Sequence, residues 1–204
     1  QKYMETKEQY KDCILFYRLG DFYEMFFDDA LVASKELEIT LTGKSCGLEE
    51  RAPMCGIPYH AVEGYLSKLV SRGYKVAICE QVEDPKLAKG LVKREVIRVV
   101  TPGTNLNVQS LEAGKNNYLL SIAYTPDGIG ISAADVTTGD YYVTEVEDLK
   151  KLNDELMKYE PSEIICNEAF LVSGFDVNDL KSRLHISVNA LESHMFDDDG
   201  CRRI

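Results

Sequence analysis

The sequence predicts a mixed α/β protein of two domains, and three observations support this. Short apolar and β-branched runs alternate with amphipathic helical patterns along the chain. Turn-forming residues at 101–105 (TPGTN) are followed by a polar stretch without periodicity. Three strand-like runs then give way to alternating helix and strand, which is typical of a ribonuclease-H-like sheet. We therefore expect a mixed-sheet domain at 1–105, a linker at 106–116 and an incomplete ribonuclease-H-like domain at 117–204.

The first half contains alternating helical and strand-like patterns. The predicted elements are a polar helix at 1–12, a strand at 13–19, an amphipathic helix at 22–38, a short strand at 39–42, an extended segment at 53–58, a helix at 61–72 and strands at 75–82 and 93–100. In the segment 22–38 apolar residues recur at spacings of three and four, and Asp21 and Glu24 stand where a capping box belongs. Frequent Pro and Gly in 53–58 favour an edge strand or an extended loop over a central strand.

The second half contains three strand-like runs and then alternating helices and strands. The predicted strands are 118–124, 129–136, 140–146, 163–167 and 186–191, and the predicted helices are 148–158 and 177–184. Asp127-Gly128 and Gly139-Asp140 mark hairpin turns between the first three strands. We expect these strands to form a single sheet.

Composition argues against several classes of protein and site. The longest apolar runs are strand-sized, well short of the roughly 18 apolar residues of a membrane span, and no signal-peptide pattern begins the chain. The six cysteines form no CxxC pair and the three histidines complete no familiar zinc spacing. We therefore expect reduced, buried thiols, with a metal site or a disulfide as the alternatives. No GxxxxGK(S/T) phosphate-binding loop is present. Because the chain begins with Gln1, we expect it to be part of a longer protein.

The two halves differ in charge. Residues 1–105 hold 15 Lys and Arg against 16 Asp and Glu, a net charge of −1, whereas residues 106–204 hold 8 against 18, a net charge of −10. Phosphate contacts need cationic side chains, so only the first half is suited to face nucleic acid through a local basic patch. The acidic second half is better suited to protein contacts.

Four sequence blocks within roughly the first hundred residues share their order and spacing with one known family. They are 20–30 (GDFYEMFFDDA), 53–60 (PMCGIPYH), 76–85 (VAICEQVEDP) and 98–104 (RVVTPGT). The first resembles the segment that bears the Phe-x-Glu motif of the MutS family. In the second half, 134–139 (ADVTTG) and the strand order resemble the MutS connector domain more loosely.

The resemblance implies the following functional assignments. MutS proteins are large homodimeric ATPases that clamp duplex DNA, probe it for mispairs and short loops, and in bacteria recruit MutL. The full-length family protein uses ATP and Mg and is cytoplasmic. This chain would supply the mismatch-recognition domain and part of the connector, so we expect neither enzymatic activity nor a cofactor in this segment.

The resemblance assigns the mismatch-binding roles to Phe22 and Glu24. A mispaired base unstacks at lower cost than a Watson–Crick pair, so an aromatic wedge inserted from the minor groove can detect it. Glu24 would hydrogen-bond to the displaced base, and we hypothesise that it binds protonated and donates to a purine ring nitrogen. The alternatives are core packing at a helix start for Phe22 and a helix cap for Glu24.

Further residues are predicted to support DNA contact. A basic segment with five cations within 86–98 is interpreted as a phosphate-contacting surface, with a solvated charged face as the alternative. The block at 53–58 is expected to shape a backbone surface against the groove. The predicted supporting residues are Met54, Gly56, Pro58, Lys89, Lys93, Arg94 and Arg98.

Two other functions compete with DNA recognition. A ribonuclease-H-like second domain could be a metal-dependent nuclease with Asp135 as a ligand, although the sequence offers no convincing set of convergent carboxylates. Alternatively, residues 106–204 form a protein-docking module, for MutL or for another domain, without DNA contact.

Overall fold

The computed structural model describes residues 2–45, 51–83, 90, 92–106 and 115–202 of the 204-residue chain. The chain divides into two compact units, Gln1–Thr101 and Pro102–Ile204. Each contains its own mixed sheet, which confirms the predicted fold class. Within the described residues, no helix combines the length and apolar character needed to cross a membrane.

The first unit is built on a six-stranded sheet. Its helices are α1 (Lys2–Gln9), α2 (Phe27–Leu37) and α3 (Val62–Val70), and its strands are β1 (Cys13–Leu19), β2 (Phe22–Phe26), β3 (Thr42–Lys44), β4 (Ala52–Pro58), β5 (Lys75–Gln81) and β6 (Arg94–Val100). The strand order is β3-β4-β2-β1-β5-β6. Strands β1 and β5 are parallel and all other pairs are antiparallel, so the sheet is mixed.

Helices cover both faces of this sheet to different extents. Helices α2 and α3 contribute to the main core, which contains Phe16, Tyr23, Met25 and Ile57. Complete burial of a side chain such as Phe16 contributes about 1.5–3 kcal/mol. The opposite face is covered at one end by α1, through Tyr3 and other residues.

Helix α1 is attached to the sheet by a buried carboxylate. Asp29 accepts hydrogen bonds from Lys7 (2.8 Å), from the Tyr3 hydroxyl (2.9 Å) and from the backbone amide of Leu15 (3.0 Å). Burial and the nearby Asp29 carboxylate raise the pKa of Tyr3, which keeps its hydroxyl a donor. These contacts hold α1 in place against this face of the sheet.

Among its described residues, the second unit has five strands and four α-helices. The strands are β7 (Tyr118–Thr125), β8 (Gly128–Asp135), β9 (Tyr141–Val146), β10 (Glu163–Cys166) and β11 (Ser187–Ala190), and the helices are α4 (Leu149–Tyr159), α5 (Glu168–Leu171), α6 (Val177–Arg183) and α7 (Asp198–Cys201). The order is β11-β10-β7-β8-β9, with antiparallel pairing among β7, β8 and β9 and parallel pairing of β10 with β7 and β11. The predicted strands and helices of this half all occur, with small shifts at their ends.

Residues 102–105 of the predicted turn belong to the second unit. Residues Pro102–Thr104 form a short 3-10 helix. The amide of Gly103 donates to Glu163 (3.0 Å), and Asn117 donates to the carbonyl of Pro102 (2.9 Å). The polar segment 107–114 lies outside the described residues.

The predicted helix at 22–38 is wrong over its first five residues. Residues 22–26 form β2, which pairs with both β1 and β4, and the helix begins only at Phe27. Tyr23 and Met25 are buried, as alternating strand residues are, and the tertiary pairing outweighs the helical spacing. Glu24 is therefore not part of a capping box, and the carbonyl of Asp21 accepts from Tyr59 (3.0 Å) in a turn.

Two other predicted segments need correction. In the strand order the segment 53–58 lies within an internal strand, β4, which pairs with β2 through residues 54–58 and with the three-residue β3 through residues 52–54. The predicted strand at 39–42 is displaced to Thr42–Lys44. Because β3 is so short, most of β4 has a partner on one side only, and this arrangement accommodates Pro58 at the strand end.

Candidate nucleic-acid interface

The turn between β1 and β2 presents Phe22 at the end of the sheet. Gly20 in this turn has φ of 60°, in the left-handed region that favours glycine. Arg18 braces the turn: its Nε donates to the carbonyl of Gly20 (2.5 Å) and its Nη1 donates to Glu80 (3.2 Å). Phe22 follows as the first residue of β2, and 49% of its surface is exposed. A half-exposed Phe on a braced turn is available for contact with a ligand.

Tyr23 anchors the same turn on the opposite face of the sheet. Its hydroxyl donates to Glu80, and the Arg18 guanidinium lies 5.7 Å from the centre of its ring. Burial and the hydrogen bond to Glu80 raise the pKa of Tyr23 to about 12, so the hydroxyl stays protonated at neutral pH. Arg18 also stacks on Tyr59, with its Cζ 3.7 Å from the ring centre. These contacts on the opposite face of the sheet therefore hold the turn that carries Phe22.

Strand alternation puts Phe22 and Glu24 on one face. Tyr23 and Met25 point into the main core, so the residues between them point to the other face. On β4 the directly opposite residues are Pro58 for Phe22, Gly56 for Glu24 and Met54 for Phe26. Gly56 and Pro58 thus lie beside the two predicted probe residues, and Met54 lies next along β4, opposite Phe26. We call the surface formed by Phe22, Glu24, Gly56 and Pro58 the open face.

Gly56 leaves the open face without a side chain between Phe22 and Glu24. A Cβ built at Gly56 would lie 3.7 Å from Cγ of Glu24 and 4.0 Å from Cδ1 of Phe22. A longer side chain at this position would stand between the aromatic ring and the carboxylate. The absence of a side chain therefore leaves both groups accessible from the same direction.

Glu24 is paired with a lysine that the sequence analysis did not single out. Oε2 of Glu24 lies 2.5 Å from Nζ of Lys44 on β3, with 16% of the Glu24 side chain and 42% of the Lys44 side chain exposed. The same Nζ lies 5.6 Å from the centre of the Phe26 ring. Phe26 itself is buried against Tyr3, with ring centres 5.0 Å apart. The open face therefore does not extend beyond Glu24 along β2.

The predicted basic residues lie along β6 and just before it. Lys93 pairs with Glu95 (2.5 Å) and Arg98 pairs with Glu63 (3.4 Å), and both cations are well exposed. Hydrogen bonding to Glu95 raises the pKa of Lys93. Lys89 lies outside the described residues.

Arg94 differs from Lys93 and Arg98 because its guanidinium makes hydrogen bonds to backbone carbonyls of the first unit. Its Nε donates to the carbonyl of Arg18 (2.6 Å) and its Nη1 to the carbonyl of Val92 (3.0 Å). Its Cζ also lies 5.4 Å from the centre of the Tyr17 ring. Arg94 thus supports the strand that leads into the Phe22 turn.

Comparison with known proteins assigns the family. The family model of MutS domain I matches residues 1–109, and that of MutS domain II matches residues 117–197. The chain belongs to the MutS family. Its relatives include DNA mismatch repair protein MutS of Lachnoclostridium phytofermentans, which is 71% identical over 98% of the chain, and that of Acetivibrio thermocellus, 57% identical over 97%. The chain spans 21% and 23% of the lengths of these two relatives.

In this MutS chain, sequence reasoning missed Lys44 and Arg18. Lys44 is 20 positions from Glu24 and lies beyond the predicted strand at 39–42, so sequence proximity gave no signal for their ion pair. Arg18 was treated as the end of an apolar strand, although its contacts with Gly20 and Glu80 brace the Phe22 turn. Both contacts depend on sheet order, which a single sequence does not specify.

The nuclease alternative for the MutS connector half receives no support from Asp135. Its carboxylate accepts from the amide (2.8 Å) and hydroxyl (2.6 Å) of Thr137 and from the amide of Asn117 (3.0 Å). These bonds make Asp135 a structural acceptor at the end of β8. In the described part of the chain, no group of three or more His, Cys, Asp or Glu residues is placed to hold a metal ion.

The described cysteines are free thiols. Cys13, Cys55, Cys79 and Cys166 are buried, and Cys201 is exposed. Burial raises the pKa of each buried thiol, to about 12 for Cys13 and to about 11 for Cys55 and Cys79. Buried thiols of this kind behave as small apolar side chains.

Proposed function

We propose that this chain recognises mispaired and unpaired bases in duplex DNA and so initiates mismatch repair. Phe22 enters the duplex from the minor groove and stacks on the mispaired base, and Glu24 hydrogen-bonds to the displaced base. The observation that carries the proposal is the open face, on which a half-exposed Phe22 and Glu24 share one side of β2 with the side-chain-free Gly56 beside them.

The energetics of insertion favour discrimination. Separating a base step costs a few kcal/mol, and stacking on an aromatic side chain returns about 1–3 kcal/mol per base. These terms nearly cancel in a paired duplex, whereas a mispair has already lost part of its stacking and pairing. The braced turn at Arg18 and Gly20 reduces the entropy lost when Phe22 inserts.

Glu24 acts on the displaced base as a neutral, protonated donor in this proposal. Glutamine is a permanently neutral donor of similar shape, so Glu24→Gln should retain mismatch binding. If Glu24→Gln abolishes mismatch binding while the protein stays folded, the protonated-donor role is wrong.

The supporting residues have two proposed roles. Met54, Gly56 and Pro58 lie opposite the probe strand and approach the minor groove, whereas Lys93 and Arg98 contact phosphates. Arg94 acts by supporting the turn. Single Lys93→Ala or Arg98→Ala substitutions should weaken binding to all duplexes and lower the slope of log K against log salt by about 1.

The decisive experiment compares binding to a G·T-mispaired duplex with binding to its fully paired counterpart. Both titrations use the chain within the full-length protein at one stated salt concentration, for wild type, Phe22→Ala and the control Tyr141→Ala. Tyr141 is also an exposed aromatic (65% exposed) but lies in the second unit. Phe22→Ala should lose the preference for the mispair, and Tyr141→Ala should keep it. If folded Phe22→Ala discriminates as wild type does, the wedge role is withdrawn.

A second function is proposed for the acidic half alone: docking of MutL. Strand β9 lies at the edge of its sheet in the strand order and exposes Tyr141 and Val143, the latter 69% exposed. An exposed apolar edge strand suits protein contacts, and the net charge of −10 opposes contact with phosphates. Val143→Lys should then weaken MutL binding and leave DNA affinity unchanged.

For the whole protein we propose a cytoplasmic, nucleoid-associated homodimer with an ATPase activity that uses ATP and Mg.

A further inference from the structure

Glu24 presents an electrostatic problem for a face that approaches DNA. An unpaired carboxylate near the phosphates is repelled by them, which weakens binding to every duplex whatever its pairing. The side chain of Glu24 is nonetheless only 16% exposed and is directed to a single cation, Nζ of Lys44. The ion pair makes this part of the open face neutral.

The ion pair crosses an entire strand. Lys44 is on β3 and Glu24 on β2, and β4 runs between them in the sheet order. Neighbouring strands lie about 4.8 Å apart, so the backbones of β3 and β2 are separated by roughly twice that distance. On β4, Lys44 lies opposite Ala52 and Glu24 lies opposite Gly56, so the lysine side chain reaches along the strand as well as across it, and its Nζ lies 5.6 Å from the centre of the Phe26 ring.

We propose that Lys44 is a positioning residue for mismatch recognition, acting through Glu24. Its ammonium holds and neutralises the carboxylate while the protein scans paired DNA. At a mispair it exchanges Glu24 for a phosphate oxygen, which releases the carboxyl group to the displaced base. This inference rests on the proposed function, because it assigns a role to the partner of Glu24 in that function.

The geometry suits an exchange of partners. Lys44 is 42% exposed and carries its charge on a flexible four-carbon stem, so Nζ can turn toward solvent without disturbing the sheet. Partly exposed ion pairs contribute little to folding. The main effect of losing the pair should therefore be on binding and not on stability.

A double-mutant cycle tests the coupling between the two residues. Affinities for the G·T and paired duplexes are measured for wild type, Lys44→Met, Glu24→Gln and the double variant, in the full-length protein. In the wild-type background, Lys44→Met should lower affinity for the paired duplex about tenfold or more, because the carboxylate is left uncompensated during scanning. In the Glu24→Gln background, the same change should lower it about threefold or less, since no carboxylate remains to be neutralised.

Two further variants separate positioning from general charge effects. Lys44→Arg keeps a cation in reach of Glu24 and should restore affinity to within about twofold of wild type. Lys68→Met removes a cation that pairs with Glu38 (3.0 Å) in the same unit, and it should leave mismatch binding unchanged. Thermal unfolding of each variant checks that the fold is retained.

The outcomes distinguish this inference from the proposed function. If Lys44→Met lowers affinity equally in both backgrounds, Lys44 is a simple phosphate contact and the inference is overturned. If Lys44→Met lowers affinity in neither background, the inference is overturned as well. Phe22→Ala is titrated in the same series. If Phe22→Ala keeps full discrimination the proposed function fails, whereas if it loses discrimination and the cycle shows no coupling only the inference about Lys44 fails.

Discussion

At the scale of single residues, Gly56 limits what the open face can tolerate. A single Cβ at this position makes only ordinary contacts of 3.4–4.0 Å, with the Tyr23 carbonyl, Cγ of Glu24 and Cδ1 of Phe22. Gly56→Ala should therefore keep mismatch binding close to that of wild type. Gly56→Val adds two methyl groups beyond the Cβ of alanine and should lower the ratio of mispaired to paired affinity about tenfold, equivalent to about 1.4 kcal/mol. Titration of both duplexes measures this ratio, and a valine variant that discriminates as wild type does would contradict it.

Asp135 gives a residue-scale prediction on stability. Burial raises the pKa of Asp135, but hydrogen bonds from Thr137 and from the Asn117 amide outweigh this effect and hold it below the usual 3.8. A carboxyl group with a lowered folded-state pKa stabilises the protein above its unfolded-state pKa, and this contribution is lost as pH falls through the folded-state pKa. The contribution of Asp135 to the second unit should therefore be lost only below about pH 4.

The matched substitution is Asp135→Asn, which replaces one acceptor oxygen by a donor. It should lower the free energy of unfolding at neutral pH by about 1–3 kcal/mol and flatten its dependence on pH in the acid range. Urea unfolding at pH 7 and in steps below pH 4 measures both effects. If Asp135→Asn is as stable as wild type at pH 7, the hydrogen bonds of the carboxylate contribute nothing.

Part of the candidate site could be predicted from short sequence motifs. The motif and block comparison predicted Phe22, Glu24 and the residues of β4, because those segments are short and continuous in sequence. It did not predict Lys44 or Arg18, because their contacts join strands that are distant in sequence. The face on which Phe22 and Glu24 lie followed only from the strand alternation of β2, which the predicted helix had obscured.

At the scale of elements, the boundary between β2 and α2 shows why periodicity failed. Phe27 adopts φ of 53°, a left-handed conformation that is uncommon outside glycine, and the chain changes there from strand to helix. Neither a Gly nor a Pro marks the change in sequence. The apolar residues of β2 happen to match helical spacing with those of α2, so the pattern predicted one continuous helix. Elements with clear punctuation, such as α3 ending before Gly73, were predicted within two residues.

The C-terminal cap of α4 provides an element-scale prediction. Glu160 ends this helix with φ of 44° and is exposed. The left-handed conformation costs a non-glycine residue roughly 1–2 kcal/mol. Glu160→Gly should therefore stabilise the second unit by about 1 kcal/mol, after allowance for the greater freedom of glycine in the unfolded chain.

The comparison variant for this prediction is Glu38→Gly at the end of α2. Glu38 has a similar φ of 58° but also pairs with Lys68, so its replacement should give a smaller gain. Chemical unfolding of both variants against wild type measures the difference. Destabilisation by Glu160→Gly would mean that its left-handed conformation carries no strain.

At the scale of the whole molecule, the net charge and the candidate site differ between the two halves. The near-neutral first half contains the open face, whereas the second carries a net charge of −10. This difference was predictable from composition, because charge counts do not depend on the fold. This difference favours the first unit for the proposed DNA contact, because the acidic half is repelled by phosphates.

The separate cores of the two units give the last prediction. Leu66 lies in the main core of the first unit and Leu120 in that of the second, and both are almost completely buried. Each truncation to alanine removes a similar volume and should cost about 2–5 kcal/mol. If the division between Thr101 and Pro102 separates two cooperative domains, Leu120→Ala should raise amide exchange in β7, β8 and β10 and not in β1 and β5, and Leu66→Ala should do the reverse. Hydrogen-exchange mass spectrometry on the full-length protein resolves these strands, and each variant is the control for the other. Increased exchange in all five strands after either truncation would show that the two units unfold together, and the predicted domain division would then be wrong.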